Sequence, residues 1–419
     1  MKYLLIILLL FSCQIVMSQP DEQKKSLAEE FLNHLKSKDF DKAYTFFDSS
    51  ITTQFSKPQL ISVWEQLTKQ YGEFNSLGKP ASSQITAAVL FVYPVYFKNG
   101  ALDAKIAVNY MNKISGFFLS VRPEEFTYLI PKYADTTKFT ETDFTFGDPY
   151  YELKATLTIP KNIDNCPVVV LVHGSGPHDK DVSIGPNKVF KDIAFGLASN
   201  GVAVMRYDKR TKIYPNRLPA DKVTLNTEVI DDVVYAVRYL EEYANKYKID
   251  KQRIFVLGHS LGGGLLPRID KQTSIPKAFI SLAGMTRTID VALIEQTTYL
   301  YNLDGVFSED EKREFDTLKT QIMNMLSPDL NENTPPESLP FGVHPNYWLD
   351  FRSLNPATEA KSLNKPILVL QGEKDYQVTM ADFEGWKNAL SNNKKAEFIS
   401  YPNLNHLFML SGEKSNPQE

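Results

Sequence analysis

Residues 255–264 read FVLGHSLGGG, an apolar run that passes without a break into Gly258-His259-Ser260-Leu261-Gly262. A Gly-x-Ser-x-Gly sequence between a strand and a helix puts its serine on a sharp turn, because side chains beside it would collide with both elements. The hydroxyl then stands at the edge of a sheet, and the start of the following helix favours negative charge nearby. By itself the pattern arises by chance. Preceded by RIFVL and followed by GGGLLP, it specifies a strand, a turn and a helix in that order.

Working outward, residues 167–176 (PVVVLVHGSG), 201–210 (GVAVMRYDKR), 253–260 (RIFVLGHS), 277–284 (KAFISLAG) and 365–375 (KPILVLQGEKD) are five apolar runs, each closing in a polar or glycine-rich loop. Continuous apolar strands are buried on both faces, which requires a parallel sheet with helices on either side. Residues 190–201 and 227–247 supply amphipathic crossovers, and 139–160 alternates as an antiparallel hairpin turning at Gly147-Asp148-Pro149. In open parallel sheets ligands bind at the carboxyl ends of the strands.

Those ends carry the chemistry. A serine needs a base to take its proton and an acid to orient that base. Asp375 follows one strand by a short turn, and His406 follows the next strand, AEFISY, giving the chain order Ser260, Asp375, His406. Glu373 is the nearest competing acid, with Asp382 on the helix beyond; His173, His178, His259 and His344 are the competing bases. His406 is favoured by chain order and by its loop position. A tetrahedral intermediate also needs backbone donors for its oxyanion. The N–H of Leu261 is one, and that of Ser175 in LVHGSGPHDKD is the other, with Gly174 keeping the approach open.

With these motifs in place, residues 139–419 resemble the α/β-hydrolase family. HGSGPHDKDVSIGPNKVFKDIAFGLASNGVAVMRYDKRT together with GHSLGG is most similar to the EstD-type bacterial carboxylesterases. The resemblance implies a carboxylesterase without metal or cofactor, acting on a small-molecule ester, with Ser260, Asp375 and His406 as its triad. Met285 to about Asn355 does not fit the core sheet, and in this fold such an insertion caps the active site. Tyr347, Trp348 and Phe351 are its candidates for a substrate pocket, plain packing being the competing reading. Arg206, Asp208 and Arg210 read more naturally as a structural ion-pair cluster than as substrate contacts.

The first part of the chain is a separate unit. Leu27, Phe31 and Leu35 form one helical face, Phe40, Ala43, Tyr44 and Phe47 a second, and residues 57–72 a third helix between Pro58 and Gly72. Beyond Gly78 the texture becomes β-rich, with a hairpin signal at Asn99-Gly100. Helices followed by a strand meander make an α+β domain over 21–123. With DFDKAYTFFDSSI, it resembles the NTF2-like DUF3887 domain, whose sheet curls around a cavity. His34 is its one histidine, with no acid partner that argues for catalysis, so a packing or partner-binding role is expected. Residues 124–138 read as a linker.

A chain of 419 residues with 43% hydrophobic and 23% charged residues builds a globular core, and a formal charge of −4 argues against nucleic acid as a partner. The apolar run Tyr3–Phe11 after one lysine is too short to cross a bilayer and has the form of a secretory signal, cleaved after Ser18. The mature chain would then carry no transmembrane span and act outside the cytoplasm. The competing reading takes Leu10-Phe11-Ser12-Cys13 as a lipobox, with a lipid anchor on Cys13; a retained membrane anchor is a third. With residues 1–18 removed, Cys166 has no disulfide partner and reads as a small buried hydrophobe. Three functions stay open: a secreted serine esterase, a serine peptidase of the prolyl-oligopeptidase or aminopeptidase kind, and a non-catalytic binding protein built on the first domain. The sequence leaves the oligomeric state undetermined.

Overall fold

The computed structural model describes residues 22–85, 88–122 and 127–417. The expected signal segment and Cys13 lie outside them. The chain divides into two compact units, Met1–Glu125 and Phe126–Glu419.

In the first unit, β1 (Phe74–Leu77), β2 (Ala81–Ile85), β3 (Ala88–Phe97), β4 (Gly100–Asn109) and β5 (Ile114–Val121) form an antiparallel sheet ordered β1-β3-β4-β5, with β2 also on β3. The β3–β4 hairpin turns at Lys98-Asn99, where the Asn-Gly signal places it. Helix Glu22–Lys36 buries Phe31, Leu32 and Leu35, and helix Lys57–Tyr71 buries Leu60 and Trp64. They share one core with alternate residues of the sheet, among them Phe91, Tyr93, Ile106 and Val108. An apolar cavity of about 640 Å³ opens in this unit between Phe47, Ile51, Leu60, Trp64, Phe117 and Leu119. His34 is not as isolated as its sequence position suggests: its Nδ1 lies 3.4 Å from Asp39 Oδ2, just past the end of its own helix. Neither residue lines the cavity.

The second unit is built on an eight-stranded sheet. Its strands are β6 (Phe139–Asp148), β7 (Tyr151–Pro160), β8 (Cys166–Val172), β11 (Ala203–Tyr207), β12 (Ile249–His259), β13 (Ala278–Leu282), β14 (Ile367–Gly372) and β15 (Ala396–Tyr401). Two two-residue strands, β9 (Ser183–Ile184) and β10 (Asn187–Lys188), pair with each other beside it. The order is β15-β14-β13-β12-β8-β11-β7-β6, parallel except where β7 meets β11 and β6. This is the α/β-hydrolase fold. Strand β8 shows why the apolar runs are continuous. Val168, Val170 and Val172 enter the core on one face, while Val169 and Leu171 enter the core on the other. Helix Asp231–Glu242 covers the first face with Val233, Val237 and Leu240; helix Val189–Ser199 covers the second with Val189, Phe190 and Ala194. From β8 the chain moves to β11 on one side and then to β12 on the other. The crevice at this reversal of strand order lies between the ends of β8 and β12.

Residues 127–138 are not the free linker that their composition suggests. Tyr128 Oη donates to Asp192 at 2.7 Å, and the Asp135 N–H donates to Ser199 Oγ at 2.8 Å, both on helix Val189–Ser199. Those bonds, made to a distant element, leave no periodic trace in the local sequence. Cys166 is fully buried, and burial pushes its thiol pKa up.

Candidate active site

Ser260 directly follows β12 in a conformation that L-residues rarely adopt, φ 56° and ψ −120°. Its N–H is tied to the Leu282 carbonyl at 3.0 Å, so the turn is anchored to the neighbouring strand. The elbow also needs Gly262. A Cβ there would stand 2.5 Å from the His173 carbonyl oxygen and 2.7 Å from that of Val172, inside any tolerable contact. The helix after the turn is broken into Leu261–Gly264 and Leu266–Gln272, as expected for three successive glycines followed by Pro267.

The loop after β8 closes on the serine. A Cβ on Gly174 would lie 3.0 Å from Ser260 Cβ and 3.5 Å from Ser260 Oγ. The loop backbone thus passes within van der Waals reach of the hydroxyl, and the glycine permits it. Leu261 is buried against the core, and Ser175 is exposed.

Asp375 and His406 come together as a buried pair, His406 Nδ1 to Asp375 Oδ2 at 2.7 Å. A carboxylate accepts only, so Nδ1 carries a proton, and in the neutral imidazole it is then Nε2 that presents the lone pair. The carboxylate is held from several sides. Its Oδ1 accepts from the N–H groups of Gln377 and Val378 at 2.8 and 2.9 Å, and its Oδ2 from Gln371 Nε2 at 3.2 Å. Gln371, near the end of β14, has no signature in the sequence, because a lone glutamine in a strand carries no motif.

The competing residues are engaged elsewhere. Glu373 accepts from Ser400 Oγ at 2.7 Å, and Asp382 binds Arg287 and Thr286. His344 caps the helix Pro345–Arg352, and His173 Nε2 donates to the Asp179 carbonyl at 3.1 Å. His259 lies beside Ser260 in sequence but turns its Nε2 to the His406 carbonyl at 2.9 Å, bracing the loop that carries that residue. Burial, with the nearby His406 as a second cause, drives the pKa of His259 down to about 3, so it is neutral at working pH.

A cavity of about 510 Å³ opens between the loop after β8 and the 285–355 insertion. Ser175, Gly176 and Pro177 line it from the loop after β8, and Leu293, Val343, Tyr347, Trp348 and Phe351 from the 285–355 insertion. All three aromatics singled out in the sequence therefore border the cavity. Trp348 and Phe351 are also 3% and 4% exposed members of the main core, so packing and lining are the same surface for them. Arg206, Asp208 and Arg210 are structural: Arg206 pairs with Asp181 and Glu141, Asp208 accepts the Lys180 N–H, and Arg210 pairs with Asp232. The residue between the last two, Lys209, belongs to no sequence motif. It is 1% exposed and reaches the loop after β8. Among the described residues no cluster of His, Cys, Asp and Glu could hold a metal ion, and no helix is long and apolar enough to cross a membrane.

A family model described as BD-FAE matches residues 157–390. Esterase EstD of Thermotoga maritima is 34% identical over 390 residues, spanning 93% of this chain and 89% of that protein. The chain belongs to the α/β-hydrolase esterases. Residues 28–117 also match a protein family of unknown function, DUF3887. Among solved structures, Est1E from Butyrivibrio proteoclasticus is 19% identical, covering 64% of this chain and 90% of that one, with a TM-score of 0.41. An acylaminoacyl peptidase of Pyrococcus horikoshii is 17% identical, covering 80% of this chain and 52% of its own, with a TM-score of 0.43.

Proposed function

We infer that this member of the esterase family hydrolyses small carboxylic esters through an acyl-enzyme on Ser260. The His406 Nε2 lone pair takes the Ser260 proton as Oγ attacks the ester carbonyl carbon. The carbonyl oxygen becomes an oxyanion facing the N–H groups of Leu261 and Ser175. Collapse expels the alkoxide, which leaves with the proton from His406. Water then repeats the sequence on the acyl-enzyme and releases the acid. Asp375 keeps the proton on His406 Nδ1 throughout and offsets the imidazolium charge. The apolar cavity receives the hydrocarbon part of the substrate, with Tyr347, Trp348 and Phe351 on its wall. The apolar run after Lys2 supports export, with removal of residues 1–18 or lipidation of Cys13 as the two routes; mass spectrometry of the mature N-terminus distinguishes them.

The observation that carries the reading is the Ser260 backbone. A non-glycine residue held at positive φ is destabilising by about 1–3 kcal/mol, and such strain persists where function uses it. The test is turnover of p-nitrophenyl acetate, butyrate and octanoate by the full chain, beside Ser260→Ala and a panel of aminoacyl p-nitroanilides. Ester turnover that disappears in the alanine variant is the expected result. Turnover of anilides but not esters would transfer the protein to the peptidases. No turnover of either, with no labelling by a fluorophosphonate, would remove the catalytic reading.

A further inference from the structure

Lys209 lies in the loop after β11, with its ammonium enclosed by protein. It has three protons to donate, and each has an acceptor: the carbonyl of Gly174 at 2.7 Å, the carbonyl of Gly176 at 2.9 Å and Glu228 Oε1 at 2.5 Å. Its own backbone N–H donates to the His178 carbonyl at 3.1 Å. The residue thus grips the loop 174–178 at three carbonyls.

The consequence follows from peptide geometry. The bond between Gly174 and Ser175 is planar and trans, so its C=O and N–H point in opposite directions. Holding the Gly174 oxygen on Lys209 turns the Ser175 N–H away from Lys209. The next peptide plane is held as well. Its N–H, that of Gly176, donates to Glu228 Oε1 at 3.3 Å, and its carbonyl, that of Ser175, accepts from His178 Nε2 at 2.8 Å. Both planes flanking Ser175 are therefore set by side chains, the first by Lys209 and the second from its two opposite edges by Glu228 and His178, while Gly174 lies against Ser260.

The grip continues into the insertion. Glu228 sits on a π-helical turn, Asn226–Ile230, and its second oxygen accepts from Tyr347 Oη at 2.8 Å. A π turn inserts one residue into a helix and re-aims its side chains, a device common at functional sites. Tyr347 in turn lines the substrate cavity. Burial and the Glu228 carboxylate hold its phenol pKa well above the usual value, so it remains a donor.

We propose that Lys209 is a positioning residue for ester hydrolysis: its ammonium sets the backbone on both sides of Ser175 so that the Ser175 N–H faces the oxyanion, and Glu228 and Tyr347 tie that setting to the wall of the substrate cavity. This rests on the acyl-enzyme reading above. It gives an uncommon feature, a buried lysine inside a hydrolase, a role in the transition state instead of in the resting fold alone. A group fixed in advance costs no reorganisation when charge develops.

The test uses the full chain and the best p-nitrophenyl ester, with a trifluoromethyl ketone of the same acyl chain as a probe. The ketone forms a tetrahedral adduct on serine, so its Ki reports the oxyanion site. The double variant Lys209→Met, Glu228→Gln removes both buried charges together. Loss of one oxyanion donor costs about 10²–10³ in kcat, so a misaimed donor should cost about 10–10²-fold. KM should move by less than about threefold, because the interaction belongs to the transition state. The ketone Ki should rise by the same factor as kcat/KM falls. A folded double variant with unchanged kcat and ketone Ki, whatever its Tm, would make the lysine purely structural and overturn the proposal. Should that variant fail to fold, Tyr347→Phe decides, since it deletes one hydroxyl and leaves the ion pair in place. It should lower kcat and weaken the ketone in equal proportion, and no change in either would overturn the proposal. Wild-type chain that neither turns over esters through Ser260 nor binds the ketone would instead sink the acyl-enzyme reading itself.

Discussion

Replacing Ser260 by glycine should stabilise the protein relative to replacing it by alanine. Both changes delete the hydroxyl, so the comparison isolates Cβ at φ 56°, ψ −120°. Alanine must keep the strain that serine carries, about 1–3 kcal/mol for a non-glycine residue held in such a region. Glycine adopts it freely but loses about 0.5–1 kcal/mol through the greater freedom of its unfolded chain. Central values of about 2 and about 0.75 kcal/mol leave the glycine variant ahead by about 1 kcal/mol. One neighbour of this Cβ, Gly174, has no side chain whose packing could be lost. The hydrogen bond from the residue 260 N–H to Leu282 survives in both. For a domain of this size each kcal/mol moves Tm by about 2–4 °C, so the glycine variant should melt about 2–4 °C above the alanine variant. Differential scanning calorimetry of the two inactive chains reads this directly. Equal melting temperatures, or a more stable alanine variant, would show that the elbow stores no strain and would withdraw the observation on which the assignment of Ser260 rests.

Asp375→Asn should lower kcat by about 10⁴ with KM little changed, because the amide donates towards His406 and forces the proton onto Nε2; steady-state kinetics checks this, and a loss confined to KM would remove Asp375 from the triad. His259→Gln should change how stability responds to acid. Native His259 stays unprotonated down to about pH 3, whereas the unfolded chain protonates it near 6.5. The unfolded state therefore binds more protons as pH falls, and the stability contributed by the neutral ring is lost from about pH 6.5 downward at up to about 1.4 kcal/mol per pH unit. Urea unfolding at several pH values should show wild type losing its advantage over the glutamine variant between pH 6.5 and 4; parallel curves would contradict the burial argument.

The relation of sequence to structure is uneven in an instructive way. Strand β8 was legible because both of its faces are buried, which leaves an unbroken apolar run with no competing pattern. The elbow was legible because backbone clash at Gly262 permits one residue type, so steric need is written directly as glycine. Asp375 and His406 were legible through the order of their loops. Gln371, which holds Asp375, was not, since its role exists only once Gly372 and Val378 fold the turn around it. The expected linker likewise became part of the second unit through Tyr128 and Asp135, whose partners lie on a helix far along the chain.

By itself, then, the sequence pointed to the two units, the parallel sheet, and the three residues proposed here to make and break the acyl bond. These are local properties: periodicity, excluded volume in a turn, and chain order. The tertiary structure alone decided how the loop around Ser175 is aimed. That depends on Lys209 meeting Glu228 on a π-helical turn, and on Tyr347 arriving from an insertion more than a hundred residues later. Charges so placed carry no repeat and no spacing rule. Their meaning is set by burial, where each ammonium proton must find an acceptor, and only the folded chain brings those acceptors to one point.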